Sequence, residues 1–254
     1  MSSRYAHISS GKGVEIHPTA FIGQNVKIYD GVKIGPHSYI GDNCTLGEPL
    51  QAYYQNPDYM HPDTLIGANA LIRSNTVVYA GNSIGEHFAC GHHVTIRENN
   101  QIGHHVSFGT LSDIQGESKF GNYVRLHSNV HICQFSQLHD FVMIYPFVVL
   151  TNDKFPPTHL VQGPSIGEYS QIGVHSVIHA GIIIQDNCLV GSMSNVNINL
   201  PAFSFFVGNP GSIKGDVRTM KDDQGENLYP WPYRFNRGMP WQELGYDQWK
   251  NASS

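Results

Sequence analysis

The chain has 254 residues, of which 40% are hydrophobic and 14% charged, and a formal net charge of −5. A negative net charge disfavours nucleic acid as a partner, and no apolar run approaches the roughly 20 residues that a membrane span needs. Four Cys are too few for a disulfide framework in a chain this long, and residues 1–7 lack a signal-peptide core, so we expect a cytoplasmic protein. The 15 His favour acid–base or metal chemistry without locating it.

An apolar residue recurs at every sixth position in three long runs. The runs extend from Ile16 to Leu46, from Ile66 to Leu150 and from Ile166 to Val196, and all 27 positions are apolar. The next residue is Gly in 13 of the 27 cases, and the fourth residue after is mostly small. A helix needs apolar spacing near 3.6, and a long strand needs alternation. A period of six instead fits a short strand followed by a turn, with two inward side chains per repeat.

Two segments interrupt the period, and a third lacks it. Residues 51–65 and 151–165 are insertions, and such loops on a rigid repeat scaffold either bind ligands or form edge and subunit contacts. The tail, 208–254, has three Trp among Pro and Tyr, and we expect it to pack against the repeat or a neighbouring subunit. We therefore divide the chain into a repeat domain, 1–207, that carries both insertions, and an irregular tail, 208–254.

The sixfold pattern resembles the hexapeptide-repeat family over roughly residues 14–207. The resemblance implies an all-β fold, the left-handed parallel β-helix, in which three hexapeptides form one triangular coil of 18 residues. Coils then stack about 4.8 Å apart, so residues 18 apart lie above one another. Most members are homotrimeric acyltransferases that bind acyl-coenzyme A and the acceptor in a groove between subunits. Cys44, Cys90 and Cys188 fall on inward positions and are predicted to be small core residues.

The C-terminal repeats are predicted to bind the cofactor. Residues 190–196 and 200–215 resemble the family's last coil and its Gly-Asn-Pro-Ala exit, where the pantetheine arm of acetyl-CoA contacts backbone amides. Small residues let such an arm approach the backbone, and Lys214 would meet a phosphate. The candidates are Gly173, Ser176, Gly191, Ser192, Ser194, Asn209, Pro210 and Lys214. The alternative is that residues 208–211 only form a turn. No metal is expected.

The second insertion resembles a loop of nucleotide-sugar N-acetyltransferases. Its Thr151-Asn152-Asp153 and Pro156 match their Thr-Asn-Asp-x-Tyr-Pro loop, although Phe155 replaces the Tyr. Those enzymes acetylate an amine of a UDP- or dTDP-linked sugar. The resemblance implies that Asn129, four repeats earlier, lies by the acceptor amine, and that Asn152 and Asp153 contact the substrate. The replacement of Tyr leaves the identity of the sugar open.

Residues 127–151 also depart from the pattern in which Gly follows the apolar residue of the repeat, because no Gly occupies that position there. A local rule that is broken marks a possible site. The 18-residue spacing stacks His131 on Asp113, His127 on Tyr145, and Gln134 on Asn152. A His beside a carboxylate is a suitable general base for the acceptor.

These stacked residues complete the predicted site. The predicted catalytic residues are His131, Asn129, His127 and Asp113, and the predicted substrate contacts are Gln134, Asn152, Asp153, Tyr145, Tyr53 and Tyr54. The two tyrosines of the first insertion would stack on the nucleotide base. His127, His131 and His139 could instead be ordinary residues at a subunit seam, and His92 and His104 are weaker candidates for the base.

We interpret the chain as an acetyl-CoA-dependent N-acetyltransferase of a nucleotide-linked amino sugar, a homotrimer that serves surface polysaccharide (lipopolysaccharide) biosynthesis. One alternative is an O-acetyltransferase of a sugar hydroxyl, which would need the His base more. A second is a non-catalytic scaffold. A third is a γ-class carbonic anhydrase, whose zinc site is incomplete here because Gly109 stands where a His ligand would follow His104.

Overall fold

A computed structural model describes residues 9–56 and 58–253, in which three largely parallel β-sheets wind into one solenoid that is followed by a tail. The sequence expectation for residues 1–7 lies outside the described residues. Most strands contain two residues, and each pairs in parallel with the strand one coil away, as Asp113 does with His131. The predicted left-handed parallel β-helix is confirmed. None of the described helices is long and apolar enough to cross a membrane.

The strands alternate among the three sheets in chain order. Sheet A contains Ser9–Ser10, Lys27–Ile28, Thr45–Glu48, Val77–Tyr79, Thr95–Ile96, Asp113–Ile114, His131–Ile132, Val149–Leu150, Val177–Ile178 and Asn195–Val196. Sheet B contains Glu15–Ile16, Val32–Ile34, Thr64–Ile66, Ser83–Ile84, Gln101–Ile102, Lys119–Phe120, Gln137–Leu138, Ser165–Ile166 and Ile183–Ile184. Sheet C contains Phe21–Ile22, Tyr39–Ile40, Leu71–Ile72, Ala89–Cys90, Ser107–Phe108, Arg125–Leu126, Met143–Ile144, Gln171–Ile172, Leu189–Val190, Ser204–Gly208 and Gly211–Asp216.

The sixfold apolar positions form the core. Each is the inward residue of its strand, and all except Ile16 are buried. The small residue four positions later is also buried, as at Ala20, Ser38 and Thr76. All four Cys are free and buried, Cys44, Cys90 and Cys188 at the predicted inward positions. Two inward residues per repeat thus fill the narrow prism.

The third residue after most of the apolar positions turns the corner with a left-handed backbone. Among the described residues, 21 non-Gly residues have a positive φ, between 55° and 64°, and all except Phe203 occupy this position. Asn and His tolerate this conformation better than most residues. Seven of the 21 are Asn and five are His: His37, His87, His93, His105 and His175. Part of the high His content therefore has a backbone cause.

The Gly after the apolar residue is required by the close approach of coils. A Cβ on Gly85 would lie 2.5 Å from the carbonyl oxygen of Gly103 and 3.0 Å from the amide nitrogen of His104. Both atoms belong to the backbone of the next coil and cannot move aside. Gly recurs at this position because the coils stack too closely to leave room for a side chain.

Both insertions leave the solenoid at one edge, between sheets A and B. The first contains helix α1, Gln51–Gln55, and the chain returns to sheet B at Thr64. The second has no helix, and Asp153 bridges Val161 before the chain returns at Ser165. The helix was not foreseen from the sequence.

The tail folds back onto its own solenoid. It contains two 3-10 turns, Val217–Thr219 and Trp231–Tyr233, and helix α2, Tyr246–Ser253. Its buried Trp231 and Trp241 pack with Phe141 and Met143, and the indole nitrogen of Trp231 donates to the carbonyl oxygen of Tyr169 at 2.9 Å. The tail therefore covers the C-terminal half of sheet C and leaves sheet A open.

Candidate active site

A His and a carboxylate meet on the open face of sheet A. His131 Nδ1 lies 3.0 Å from Asp113 Oδ2, one coil away, and the two side chains are 40% and 41% exposed. The hydrogen bond from His131 is the main cause that lowers the pKa of Asp113 below its ordinary value. The carboxylate is therefore ionised at neutral pH and accepts the proton that Nδ1 carries. This tautomer leaves the Nε2 lone pair free to accept a proton.

Gln115 supports this pair and was not predicted from the sequence. Its Nε2 donates to Asp113 Oδ2 at 2.8 Å, which also lowers the carboxyl pKa. The signal was present, because residues 113 and 115 are two apart on one stretch and so point to the same side. Arg97, one coil below Gln115, adds a positive charge and is itself held by Glu98, whose Oε2 lies 2.7 Å from Arg97 Nε.

His127 lies at the corner between sheets C and A that immediately precedes the strand of His131. Its ring stacks on Tyr145 with centroids 5.0 Å apart, as the 18-residue spacing predicts. Partial burial and then the charge of Arg125 lower the pKa of His127. The imidazole is therefore neutral at pH 7.

Other predicted polar residues have structural explanations of their own. Asn129 has a φ of 59° and occupies the left-handed corner position that Asn also fills elsewhere. The Nδ1 of His104 accepts the backbone N–H of Glu86 at 3.1 Å, which ties two coils together. His139 is exposed at a corner of sheet B, away from His131.

Asp153 organises the second insertion. Its carboxylate accepts hydrogen bonds from the backbone N–H groups of Thr158 at 2.6 Å and Phe155 at 3.0 Å and from the hydroxyl of Thr158 at 2.8 Å. The bond from the backbone N–H of Thr158 is the main cause of the lowered pKa of Asp153. The backbone carbonyl of Asn152 accepts from Gln162 at 2.7 Å. The insertion is thus a folded loop beside the coil of His131. The stacking of Gln134 on Asn152 stays a prediction.

The first insertion lies farther from His131. Tyr53 contacts Tyr54, Tyr29 and His61 edge-on or at a steep angle, in an aromatic cluster. Sheet A places three strands between Thr45–Glu48, which leads into this insertion, and His131–Ile132. The separation is four strand spacings, about 19 Å. One protomer does not bring Tyr53 and Tyr54 to His131.

The predicted cofactor residues divide into surface and interior. Ser176 and Ser194 are buried, and their hydroxyls donate to the carbonyl oxygen of Gly191 at 3.1 and 2.6 Å. Their side chains cannot reach a ligand, so only their backbone remains a candidate. Gly173, Gly191 and Ser192 line the outside of the same corner.

The exit segment forms an antiparallel hairpin. Asn209 and Pro210 are the exposed turn between Ser204–Gly208 and Gly211–Asp216, and Lys214 is exposed on the second strand. A Cβ on Gly211 would clash with the ring of Phe206, so this Gly is required by packing. The turn that the sequence left as an alternative is present.

No group of three His, Cys, Asp or Glu within residues 9–56 and 58–253 could hold a metal ion. All four cysteines have a pKa raised mainly by burial, to about 11 for Cys90, Cys133 and Cys188. None of them is a thiolate at neutral pH. The His131–Asp113 pair is therefore the best candidate for chemistry on this surface.

Two segments match family models of transferase repeats. Residues 13–48 match the bacterial transferase hexapeptide (six repeats), and residues 165–192 match the hexapeptide repeat of succinyl-transferase. Both segments are therefore hexapeptide repeats of the type found in bacterial transferases. Between these matches, the sixfold period from Ile66 to Leu150 and the solenoid continue the same repeat. No curated protein sequence matches the chain.

Several solved structures are similar to it at low identity. UDP-N-acetylglucosamine O-acyltransferase from Moraxella catarrhalis is 19% identical over 93% of this chain and 90% of that chain, with a TM-score of 0.40. The acetyltransferase domain of PglB from Neisseria gonorrhoeae, in complex with acetyl coenzyme A, is 15% identical over 55% and 57%, with a TM-score of 0.36. GDP-perosamine N-acetyl transferase from Caulobacter crescentus, in complex with CoA and GDP-perosamine, is 16% identical over 83% and 58%, with a TM-score of 0.23.

Proposed function

We propose that the protein transfers an acetyl group from acetyl-CoA to the amine of a UDP- or dTDP-linked amino sugar. Such sugars feed cytoplasmic steps of surface polysaccharide and lipopolysaccharide synthesis. The observation that carries the proposal is the contact between His131 Nδ1 and Asp113 Oδ2 at 3.0 Å on an open sheet face. The loop of residues 150–156 next to it supports a nucleotide sugar as the acceptor.

The pair supplies a general base for direct transfer. The amine nitrogen attacks the thioester carbonyl carbon, and His131 Nε2 takes the proton that the nitrogen loses. Asp113 stabilises the resulting imidazolium, and a backbone N–H stabilises the oxyanion of the tetrahedral intermediate. The C–S bond then breaks, and the sulfur of CoA leaves with that proton. No acyl-enzyme is required, which agrees with the burial of all four cysteines.

The protein would act as a homotrimer. His131 and Asp113 lie on a face that one protomer leaves open, and a groove for two substrates needs a second wall. A neighbouring copy can provide it, because the tail covers sheet C but not sheet A. Sedimentation equilibrium should therefore give three times the chain mass, and a monomer would remove the proposed seam.

O-acetylation of a sugar hydroxyl is the second candidate. The same His–carboxylate pair favours it, because a hydroxyl needs proton removal more than a neutral amine does. The two candidates differ in the effect of removing the base. An amine acceptor should retain slow transfer in His131→Ala, whereas a hydroxyl acceptor should lose it.

The deciding experiment measures CoA release from acetyl-CoA with a panel of UDP- and dTDP-amino sugars and matched hydroxyl sugars. Turnover with amino sugars supports the proposal. Turnover only with hydroxyl sugars would establish the O-acetyltransferase. If the protein neither turns over any of these acceptors nor binds CoA, the non-catalytic scaffold would be the remaining interpretation.

A further inference from the structure

Arg125 connects the solenoid to the tail. It is the outward residue of the strand Arg125–Leu126, and its Nη2 donates to the carbonyl oxygens of Arg237 at 2.6 Å and Gly238 at 3.0 Å. The ring of Phe235 lies 5.3 Å from the guanidinium carbon. Gly238 has a φ of +65°, and a Cβ there would lie 2.7 Å from Arg125 Nη2. The guanidinium is therefore held in one place.

Its charge is not neutralised by the part of the chain that the structure describes. Arg97, Arg218 and Arg234 pair with Glu98, Asp216 and Asp222, whereas Arg125 and Arg237 form no ion pair among those residues. Charged groups that lose water are normally paired, and two carbonyls supply no negative charge. The Nε and Nη1 donors of Arg125 have no hydrogen-bond partner among the described residues. They are not buried polar atoms without a partner, so they are open to solvent.

The neighbouring groups are also cationic or basic. The bond from Arg125 Nη2 to the carbonyl oxygen of Arg237 at 2.6 Å holds Arg237 beside Arg125, and His127 follows Arg125 by two residues. Burial and then the charge of Arg237 lower the pKa of Arg125, and burial and then the charge of Arg125 lower the pKa of His127. Arg237 and His127 are both exposed. Arg125, His127 and Arg237, the Arg125 cluster, thus form a local positive site on a protein whose net charge is −5.

We propose that the Arg125 cluster binds a phosphate group. Guanidinium forks match the oxygens of a phosphate, and a neutral imidazole can gain a proton to become a third donor. Two molecules could supply this chemistry, the diphosphate of a nucleotide sugar and the phosphates of coenzyme A. The inference concerns binding alone, so it survives if no acceptor is acetylated.

Titration calorimetry with inorganic pyrophosphate tests the site, followed by UDP and CoA as separate arms. Arg237→Gln should weaken pyrophosphate binding about tenfold or more, since hydrogen bonds between charged groups are the strong ones. Its side chain makes no described contact, so the fold should be retained. Arg218→Gln, which removes another exposed Arg of the tail, should leave binding unchanged.

The arms identify the source of the phosphate. A loss confined to UDP assigns the site to the nucleotide, and a loss confined to CoA assigns it to the donor. The proposal would be overturned if wild type and Arg237→Gln bound each of the three ligands with the same affinity. It would also be overturned if Arg218→Gln lost as much affinity as Arg237→Gln. Arg125→Lys keeps the charge without the fork, and we expect it to weaken binding while thermal unfolding reports whether the tail stays attached.

An NMR titration of His127 gives a readout that is independent of affinity. Pyrophosphate should raise the pKa of His127, because a bound anion offsets the charge of Arg125. The resonance is assigned by its loss in His127→Gln. An unchanged titration of His127 at saturating pyrophosphate would contradict the assignment of this residue to the site.

Discussion

Two regions of the solenoid carry His side chains and differ in what holds the ring. At the corner between sheets B and C, His87, His105, Tyr123, Phe141 and Tyr169 stack in a column with centroids 4.5 to 5.3 Å apart. All five have a left-handed backbone. On sheet A, His131 lies on a strand with ordinary backbone and faces Asp113 at 3.0 Å.

The difference separates architecture from chemistry. A corner His satisfies a backbone requirement and contributes a ring to a stack, and neither His87 nor His105 has an ion pair among the described residues. His131 has no such backbone reason. Its carboxylate partner, rather than the abundance of His, marks the site.

The largest expected effect is on catalysis at His131. His131→Gln removes the base and should lower kcat about 10²- to 10⁴-fold, whereas His105→Asn, which suits the left-handed corner, should leave it unchanged. CoA release is the measurement. Full activity in His131→Gln, or an equal loss in His105→Asn, would erase the distinction between the two regions.

Asp113→Asn should have the next largest effect on activity. The loss of the charged partner of the imidazolium should lower kcat about 10- to 100-fold with little change in KM, because hydrogen bonds to charged groups contribute about 1.5–3 kcal/mol. Asp113→Glu should recover part of the rate. Asp216→Asn, which removes a surface carboxylate paired with Arg218, is the control. A change in KM alone would point to binding instead.

Corner packing is tested by Gly85→Ala. The added methyl meets the backbone of the next coil and should lower the free energy of unfolding by about 1–3 kcal/mol. Gly215→Ala meets nothing within 4 Å and should change it by less than about 0.5 kcal/mol. Urea unfolding measures both. Equal stabilities would contradict the explanation of the Gly pattern.

The smallest effect concerns pH. Burial, followed by the charges of His87 and His104, lowers the pKa of His105 below 6.5. The folded state therefore takes up this proton less readily than the unfolded chain, and stability falls as pH drops below about 6.5. His105→Asn should lessen the fall in unfolding free energy between about pH 7.5 and 5.5. An identical pH dependence would show that the column does not disfavour the charged ring.

Much of the fold and part of the site could be predicted from the sequence. The period fixes which residues point inward, and the 18-residue coil places His131 on Asp113 and His127 on Tyr145, because register in a solenoid follows from counting. The left-handed third position was missed, although its Asn and His content was visible. It would have explained part of the high His content, as at His93 and His105, without invoking chemistry.

The roles of the other site residues depend on contacts that do not recur with the repeat. Gln115 was missed because its role depends on a side-chain rotamer. Arg125 gains its partners from residues more than 100 positions later, in a tail without a repeat. The inward direction of Ser176 and Ser194 was implied by the repeat, yet they were grouped with surface residues of the cofactor site.

Mass spectrometry of the acceptor tests the central claim most directly. The protein is incubated with acetyl-CoA and the amino sugar that supports CoA release, beside His131→Gln under the same conditions. The account predicts one acetyl group on the sugar nitrogen with the wild-type protein and at most a trace with the variant. Acetylation at a hydroxyl, or equal product from both proteins, would contradict it.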